Sequence, residues 1–469
     1  MPSPARRAAF RILLRIENEL SYATELLHGP LTAKLEARDA ALATELVLGT
    51  LRWQGQLDFL AQQLTQSKWK SLDAEVWVAL RLGLYQLRFL RVPARAAVYE
   101  AVELVKGAGK RSAAGFVNAV LRRGAEVELA TLRPGSMTEL EWLAVETSHP
   151  AWLLERWEKQ FGREKALSLA RANNQTPETC IRLVSPGAGH SDGEENQGDE
   201  GRLGAGKEEW PEIEARLRGE GIELCPGRFL KSSRIIAKGA RVNITHSEAC
   251  RRGEIVVQDE ASQMIPLLLD VRMGDCVLDL CAAPGNKTAQ LAQQAAAQGR
   301  VIACDLHWHR LREMIAPASG AAVLRVALDG SLPLPFRARF DRILVDAPCS
   351  GTGTLRRHPE IKWRLKAGDL EELSDLQGRL LGSAAAVLEE GGRMVYSTCS
   401  LEEEENRGVI ERFLAAHPEF RCKALREDKD RLEALLLPGA AWILESEFLA
   451  TFPDRDGMDG FFGAVLEKG

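Results

Sequence analysis

Residues 277–288 form the sequence VLDLCAAPGNKT. Apolar residues typical of a buried strand lead into a loop of small residues, and a helix-forming segment follows at once. Small residues let the backbone approach a ligand closely, and free N–H groups at a helix N-terminus bind carboxylates or phosphates. The stretch is not a P-loop, because Asn286 separates Gly285 from Lys287 and Leu280 replaces the leading glycine, and it also lacks the dinucleotide motif GxGxxG. It therefore predicts a ligand-binding βα turn.

Outward from this turn, apolar strands and helical segments alternate from about residue 270. The predicted strands are CVLDL, RVIACDL, AAVLRVA, FDRILVDA and GRMVYSTC. This alternation predicts a doubly wound, Rossmann-like parallel sheet, whose ligands bind at the carboxyl ends of the strands. Asp305 ends one strand twenty residues after Gly285, where this fold commonly places a carboxylate on ribose hydroxyls. The two features together predict a nucleoside cofactor.

Two cysteines follow predicted strands of the same sheet. Cys349 lies in ILVDAPCSGTGTLRRHPEIKW, residues 343–363, just after a strand that ends at Asp346, and Cys399 ends the strand in GRMVYSTCS. Because carboxyl ends of parallel strands meet at one edge of the sheet, we expect the two thiols to lie close together. We interpret four other cysteines as small buried apolar residues, namely Cys276, Cys281, Cys304 and Cys422.

Such thiols suit chemistry at carbon 5 of cytosine, which becomes nucleophilic only after another group adds to carbon 6. A thiolate is a strong nucleophile near neutral pH and a good leaving group afterwards. Asp346 can hydrogen-bond the base, while Lys287 or a helix N-terminus can stabilise the thiolate or the adduct. A second cysteine or a water-linked carboxylate can then remove the carbon 5 proton.

The remainder of the chain predicts two further domains. Residues 1–125 carry apolar residues at helical spacing and hold 18 Lys and Arg against 11 Asp and Glu, which indicates an all-α domain that faces a polyanion. Short β-like runs, CIRLV and GEIVVQDE among them, follow a second helical stretch and predict a small α/β module. The predicted domains are residues 1–128, residues 138–255 with a mobile acidic insert at 186–209, and a catalytic domain at 256–469.

Composition limits the remaining functional classes. The nine cysteines form no CxxC pair and no cluster with histidine at zinc spacing, so we expect neither disulfides nor a metal. No apolar run approaches the roughly 18 residues of a membrane span, and the first twenty residues lack the apolar block of a signal peptide. We therefore expect a cytoplasmic protein without a membrane partner, and a monomer.

The last 213 residues resemble the bacterial ribosomal RNA cytosine-5 methyltransferases of the Fmu/Sun (RsmB) type, within the wider Nop2/Sun family. The matching stretches are VQDEASQMIPLLL, VLDLCAAPGNKT, the strand ends at Asp305 and Asp329, DAPCSGTGTLRRHPEIKWR, YSTCSLEEEEN and DGFFGAVLEK. The resemblance implies S-adenosylmethionine as cofactor, Cys399 as nucleophile and Cys349 as the residue that assists adduct breakdown. The implied cofactor contacts are Cys281, Ala282, Ala283, Pro284, Gly285, Asn286, Lys287, Asp305, Asp329 and Asp346.

Asn286 departs from the family pattern, which usually has a second glycine at this position. Asparagine tolerates a positive backbone angle, so we expect cofactor binding to survive. The first 125 residues, with LRLGLYQLRFL, AAVYEAVELVK and GFVNAVLRR, resemble the NusB-type helical RNA-binding domain. We expect basic side chains of this domain to pair with RNA phosphates, namely Arg6, Arg7, Arg11, Lys110, Arg111, Arg122 and Arg123.

Several other functions share part of this pattern. A DNA cytosine-5 methyltransferase would use the cysteine of the Pro-Cys motif as nucleophile and would not need Cys399. An amino-group methyltransferase would have an aromatic residue where Cys349 stands. A catalytically inert RNA-binding antitermination or assembly factor is disfavoured by the intact Asp305, Asp346 and cysteine pair. The resemblance implies 16S ribosomal RNA as substrate, with transfer RNA as the alternative.

Overall fold

The computed structural model describes residues 2–19, 21–65, 72–184, 209–237, 244–314 and 322–469. These residues form two compact units: unit 1 is residues 1–176 with 354–367, and unit 2 is residues 177–353 with 368–469. The predicted acidic insert, residues 186–209, lies outside the described residues except for Glu209, which begins a helix.

Unit 1 is helical. Its helices are α1 (Pro4–Glu19), α2 (Ala23–Leu27), α3 (Ala37–Arg52), α4 (Gln54–Thr65), α5 (Ala74–Phe89), α6 (Ala94–Gly107), α7 (Ala114–Glu126), α8 (Glu139–Thr147), α9 (Ala151–Phe161) and α10 (Arg163–Asn173). Helix α5 packs against α1, α3, α4, α6 and α7, and its residues 78–86 are all buried. A helix that is apolar on nearly every side must be central, because other helices have to cover each face.

Helix α5 nevertheless carries one buried charge, that of Arg81. Its guanidinium donates to both carboxylate oxygens of Asp58, at 2.5 and 2.8 Å, and to Glu17 at 2.8 Å. A buried charge is tolerated when it is paired and hydrogen-bonded, so these carboxylates let the central helix carry an arginine.

Unit 2 begins with a small antiparallel sheet. Its elements are β1 (Cys180–Leu183), α11 (Glu209–Gly219), β2 (Leu224–Pro226), β3 (Ser233–Ile236), α12 (Glu248–Arg251) and β4 (Ile255–Val257), with strand order β2-β3-β1-β4. Ile181, Leu217 and Ile222 are fully buried between sheet and helices. This module has the α/β character that the short apolar runs predicted.

A larger sheet forms the rest of unit 2. Its elements and the segment inserted in them are α13 (Glu260–Leu268), β5 (Cys276–Asp279), α14 (Asn286–Ala295), β6 (Arg300–Asp305), α15 (Trp308–Arg312), β7 (Ala322–Ala327), β8 (Phe340–Asp346), α16 (Ile361–Arg364), α17 (Asp369–Ala385), β9 (Leu388–Thr398), α18 (Arg407–Ala416), β10 (Phe420–Lys423), α19 (Lys429–Glu433), β11 (Leu449–Ala450), α20 (Pro453–Asp456) and β12 (Phe462–Lys468).

The strand order of this sheet is β10-β12-β9-β8-β5-β6-β7, and β11 also pairs with β12. Strands β5 to β9 are parallel, which confirms the Rossmann-like prediction for this part. Strand β12 is antiparallel to β9, β10 and β11, a feature that the βα alternation did not predict. The reason is that β12 lies between β10 and β9 and runs opposite to both, so the chain leaves β10 and enters β12 at the same edge of the sheet instead of crossing over to the opposite edge.

Residues 354–367 lie between two strands of the large sheet in the sequence but belong to unit 1. Lys362 in α16 is fully buried, and its Nζ donates to the backbone oxygens of Arg52 at 2.9 Å and Ser148 at 2.8 Å and to Asn174 Oδ1 at 3.4 Å. The neighbouring Trp363 donates its indole N–H to the backbone oxygen of Leu51 at 3.0 Å. The apolar and polar contacts of α16 therefore explain why this segment joins the helical unit.

Within the described ranges, no helix combines the length and apolarity that crossing a bilayer requires. The same residues contain no group of three His, Cys, Asp or Glu side chains arranged to hold a metal ion.

We predict that Lys362→Met changes the pH dependence of unfolding. Burial, reinforced by the positive charge of Arg52, holds the pKa of Lys362 well below its ordinary value. The unfolded chain therefore binds this proton up to a higher pH than the folded chain, and stability rises with pH between the two pKa values. The free energy of unfolding of the wild type, relative to the variant, should increase by up to about 1.4 kcal/mol per pH unit in that range.

Urea unfolding followed by tryptophan fluorescence from pH 7 to pH 10 measures this difference. Lys34→Met removes an exposed lysine and should leave the pH profile unchanged. Parallel profiles for the wild type and Lys362→Met would contradict the prediction.

Candidate active site

The site residues lie at the carboxyl ends of four adjacent strands. The loop after β5 contains residues 281–287, Asp305 ends β6, Asp346 ends β8 and Cys399 follows β9. In the parallel pair β8–β9, Asp346 is opposite Ser397, so the residues that follow both strands emerge side by side. This is the edge at which a doubly wound sheet binds its ligands.

The two predicted cysteines meet at this edge. Their sulfur atoms are 3.4 Å apart, and the backbone N–H of Cys399 donates to Cys349 Sγ at 3.3 Å. Both residues are partly exposed. The four cysteines interpreted as apolar residues lie in or against the core beside the sheet, with Cys304 fully buried.

The two thiols lie in different electrostatic surroundings. The hydrogen bond to Cys399, burial, and the negative charges of Cys399 and Glu405 raise the pKa of Cys349 well above its ordinary value. Cys349 therefore keeps its proton more readily than a free thiol. A protonated Cys349 can donate its S–H to a thiolate at Cys399 across the 3.4 Å contact.

Asp346 and Lys287 form an ion pair beside the cysteines. Lys287 Nζ donates to Asp346 Oδ2 at 2.7 Å, and Ser397 Oγ donates to Asp346 Oδ1 at 2.7 Å. Desolvation lowers the pKa of Lys287, but the charge and hydrogen bond of Asp346 outweigh it, and the negative charge of Cys399 acts in the same direction, so the pKa is raised. The ammonium of Lys287 also lies 5.1 Å from the ring of Phe461. The site thus holds a fixed positive charge close to the thiol of Cys399.

Four residues that the sequence interpretation missed hold the cysteine loops. Ser350 and Ser400, which follow the two cysteines, both donate their hydroxyl groups to the buried carboxylate of Glu405, and Gln377 donates to it from α17. In the sequence, the repeated Cys-Ser pair was a usable signal. Glu405 was hidden in the run EEEE, because such runs are usually solvated.

The loop of residues 280–286 turns sharply into α14. Gly285 has a φ of +104°, in the region that favours glycine, and a Cβ there would lie 3.1 Å from Met314 Cε. Asn286 is the first residue of α14 and does not have a positive φ. The tolerance of asparagine for a positive angle is therefore not needed at this position, because Gly285 makes the turn and Asn286 already has helical geometry. That the cofactor still binds stays a prediction.

The carboxylates around this loop differ in exposure. Asp305 is buried, and its oxygens accept from the His307 N–H and from Arg310, both at 3.0 Å. Asp329 lies exposed in the loop after β7 and accepts from the N–H of Ser331 at 2.9 Å and from its hydroxyl at 2.7 Å.

A third carboxylate, that of Asp279 at the end of β5, is buried. Burial first, and then the negative charges of Asp346 and Asp305, raise the pKa of Asp279 to about 7, although Thr288 donates to it at 2.7 Å. The charges of Asp305 and Asp346 therefore both act on Asp279 and raise its pKa.

These residues fit a nucleoside cofactor. Met314 packs against the Gly285 turn so closely that glycine fits best there, and the first N–H groups of α14, which lack partners within the helix, can bind an anionic part of a ligand. Asp305 ends the neighbouring strand, the position at which a doubly wound fold commonly presents a carboxylate to ribose hydroxyls.

The predicted phosphate contacts of unit 1 divide into two groups. Arg6 bonds to Gln86 at 2.6 Å and Lys110 pairs with Asp73 at 2.9 Å, so both have partners within the protein. Arg7, Arg11 and Arg111 are exposed and line a cavity of about 820 Å³. Arg122 and Arg123 are exposed at the end of α7. The exposed arginines remain the candidates for RNA phosphates.

We predict that Gly285→Ala lowers the affinity for S-adenosylmethionine by about tenfold or more, since forcing alanine to positive φ and against Met314 costs roughly 1–3 kcal/mol. Isothermal titration measures the change. Gly274→Ala is the matched control, because Gly274 also has a positive φ of +92° but open space around its Cβ position. Equal affinities for the two variants would contradict a role of the Gly285 turn in binding.

Comparison with family models gives three matches. Residues 266–467 match the 16S rRNA methyltransferase RsmB/F model, residues 3–126 match the NusB family, and residues 149–184 match the ferredoxin-like domain of RsmF/B-like methyltransferases. The solved structure titled "Crystal Structure of PH0851" has a TM-score of 0.78 and 25% sequence identity, with all of both chains covered.

Curated relatives match over nearly the whole length. The probable ribosomal RNA small subunit methyltransferase B of Bacillus subtilis (strain 168) is 32% identical over 99% of this chain and 98% of that protein. Ribosomal RNA small subunit methyltransferase B of Pseudomonas putida (strain KT2440) is 35% identical, over 93% of this chain and 92% of that protein. These matches confirm the resemblance stated from the motifs, and the chain belongs to the RsmB/F methyltransferase family, with a NusB-family domain at its N-terminal end.

Proposed function

We propose that this chain methylates carbon 5 of a cytosine in 16S ribosomal RNA, with Cys399 as the covalent nucleophile. The observation that carries the proposal is the pair of sulfur atoms 3.4 Å apart at the carboxyl edge of the sheet, beside the Lys287–Asp346 ion pair. Cytosine C5 chemistry needs one thiolate to form an adduct and a second group to help resolve it. The paired thiols supply both groups at one place.

The first step forms the bond between Cys399 Sγ and carbon 6 of the ring. The π electrons of the 5,6 double bond move toward carbon 5 and make it nucleophilic, and Lys287 offsets the negative charge near the thiolate. Asp346 accepts hydrogen bonds from Lys287 and Ser397. In the proposed step it would accept a further hydrogen bond from the protonated base. S-adenosylmethionine, the cofactor of these methyltransferases, supplies an electrophilic methyl group when bound.

The second step removes the carbon 5 proton. The electron pair of that C–H bond re-forms the ring double bond, and the C6–Sγ bond breaks to release Cys399 as a thiolate. We assign the assisting role to Cys349, which would first lose its own proton to water and then, as a thiolate, accept the proton from carbon 5. The adduct removes the charge of Cys399, which is one cause of the raised pKa of Cys349, so Cys349 gives up its proton more readily in the adduct than in the free enzyme.

Three groups are proposed to hold the cofactor. Residues 281–287 and the start of α14 would contact its amino-acid part, Asp305 its ribose, and Asp329 an exposed edge of the nucleoside. The buried position of Asp305 supports its assignment more strongly than the exposed position of Asp329 does.

The electrostatics favour this reading over the DNA cytosine-5 alternative. That alternative needs Cys349 as thiolate nucleophile, whereas the hydrogen bond to Cys399, burial and the neighbouring negative charges raise the pKa of Cys349 and disfavour its thiolate. The exposed arginines of unit 1 support RNA as the partner, and the names of the curated relatives support ribosomal RNA over transfer RNA as the substrate. We further propose that the enzyme acts in the cytoplasm as a monomer. The three domains, residues 1–128, 138–255 and 256–469, remain our proposal.

We predict that Cys399→Ala abolishes methyl transfer, because no adduct can form at carbon 6. Cys349→Ala should instead accumulate a protein–RNA adduct that survives denaturing electrophoresis, because the second step stalls. Bisulfite sequencing of 16S ribosomal RNA measures transfer, and a denaturing gel with labelled RNA measures the adduct. An active Cys399→Ala with an inactive Cys349→Ala would reverse the two roles.

One control variant and two further measurements complete this test. Cys422→Ala removes a thiol that packs against the core beside the sheet and should leave both readouts unchanged. Transfer RNA offered in place of ribosomal RNA tests the second substrate. Failure to bind S-adenosylmethionine in a titration would favour the inert RNA-binding factor.

A further inference from the structure

The structure points to Glu405 as a positioning residue that sets the spacing of the two cysteines. Glu405 is fully buried and lies in the turn between β9 and α18, four residues beyond the end of the STCSL stretch that contains Cys399. The inference rests on the proposed function only for the roles of the two thiols. The clamp, by which we mean the hydrogen bonds of Glu405 with Ser350, Ser400 and Gln377, does not depend on those roles.

One carboxylate holds the residue that follows each cysteine. The Ser350 N–H donates to Glu405 Oε1 at 2.8 Å, and the hydroxyl of Ser350 donates to Oε2. The hydroxyl of Ser400 donates to the same Oε2 at 2.5 Å and lies 3.0 Å from the hydroxyl of Ser350. Because two loops share one acceptor, neither cysteine can move far without breaking a bond to Glu405.

Gln377 extends the clamp to the residue before Cys349. Its side-chain amide donates to Glu405 Oε1 at 3.0 Å and to the backbone oxygen of Pro348 at 3.0 Å. Gln377 and Glu405 are both completely buried. Hydrogen bonds thus hold the loop of Cys349 at the residue before the cysteine and at the residue after it.

Asn406 holds the other loop in a similar manner. Its side-chain amide donates to the backbone oxygen of Ser400 at 2.9 Å and accepts from the hydroxyl of Thr398 at 2.6 Å. The hydroxyl of Tyr396 donates to the backbone oxygen of Glu405 at 2.6 Å, which ties the turn back to β9. These bonds hold the backbone of Glu405 in place and thereby restrict the position of its carboxylate.

The charge of Glu405 adds a second effect. It contributes to the raised pKa of Cys349, while Cys349 is the thiol that must stay protonated beside Cys399. The same carboxylate thus holds the two cysteine loops together and contributes to the raised pKa of Cys349.

Thiol cross-linking of the full-length protein tests the spacing without RNA. Diamide takes up the two protons and two electrons that a Cys349–Cys399 disulfide releases, and peptide mass spectrometry measures its rate of formation. A disulfide tolerates only a narrow range of Cβ separations, so removing the clamp should slow this cross-link by about tenfold. We expect that loss in Glu405→Ala and in the double variant Ser350→Ala with Ser400→Ala.

The charge effect has its own readout. In Glu405→Gln, which keeps the size of the side chain, alkylation of Cys349 by iodoacetamide should shift to lower pH. Glu403→Gln is the matched control, since Glu403 is an exposed glutamate two residues away and its replacement should change neither the cross-linking rate nor the alkylation profile.

Unchanged cross-linking in the double serine variant and an unchanged Cys349 profile in Glu405→Gln would overturn the inference. Thermal unfolding of each variant shows whether the chain remains folded, and Glu405→Gln and the serine variant carry the test if Glu405→Ala does not fold. A wild-type protein that cross-links as expected but transfers no methyl group to 16S ribosomal RNA would overturn the proposed function and leave the inference about Glu405 intact.

Discussion

The parallel pairing of β8 with β9 is the constraint on which the site depends. Asp346 lies opposite Ser397 in this pair, so the chain leaves both strands at the same height and on the same edge of the sheet. The loops that follow carry Cys349 and Cys399, and a one-residue slip of either strand would turn alternate side chains to the opposite face. The 3.4 Å contact between the sulfur atoms is a direct consequence of this register together with the bonds that hold the loops.

Buried charges then give the two thiols different properties. Lys287 and Asp346 form an ion pair at 2.7 Å whose ammonium group lies near Cys399, whereas the carboxylate of Glu405 accepts from the N–H of Ser350, the residue after Cys349. Each of these charges is satisfied by hydrogen bonds, as buried charges must be. The same bonds that keep the charges buried also fix the loops, so the stability of the site and its electrostatics have one structural origin.

The helical unit buries an ionisable group in a different way. Lys362 belongs by sequence to the segment after Cys349, yet its amino group lies within hydrogen-bonding distance of backbone oxygens at the ends of α3 and α8 and of Asn174. Burial holds its pKa well below the ordinary value, and the surrounding oxygens replace the hydrogen bonds that water would otherwise make to the amino group. A short polar segment can therefore become part of a helical core without contributing a large apolar face.

The sequence by itself determined the βα alternation, the glycine turn at 285, the strand ends at Asp305 and Asp346 and the two cysteines at one edge, because these depend on local periodicity and on the geometry common to all parallel sheets. Only the tertiary structure decided the antiparallel β12, the transfer of residues 354–367 to unit 1, the helical rather than left-handed geometry of Asn286, and the burial of Glu405 within an acidic run. Each of these depends on which distant groups satisfy a backbone strand or a buried charge, and contacts between residues far apart in the chain leave no periodic signal in the sequence.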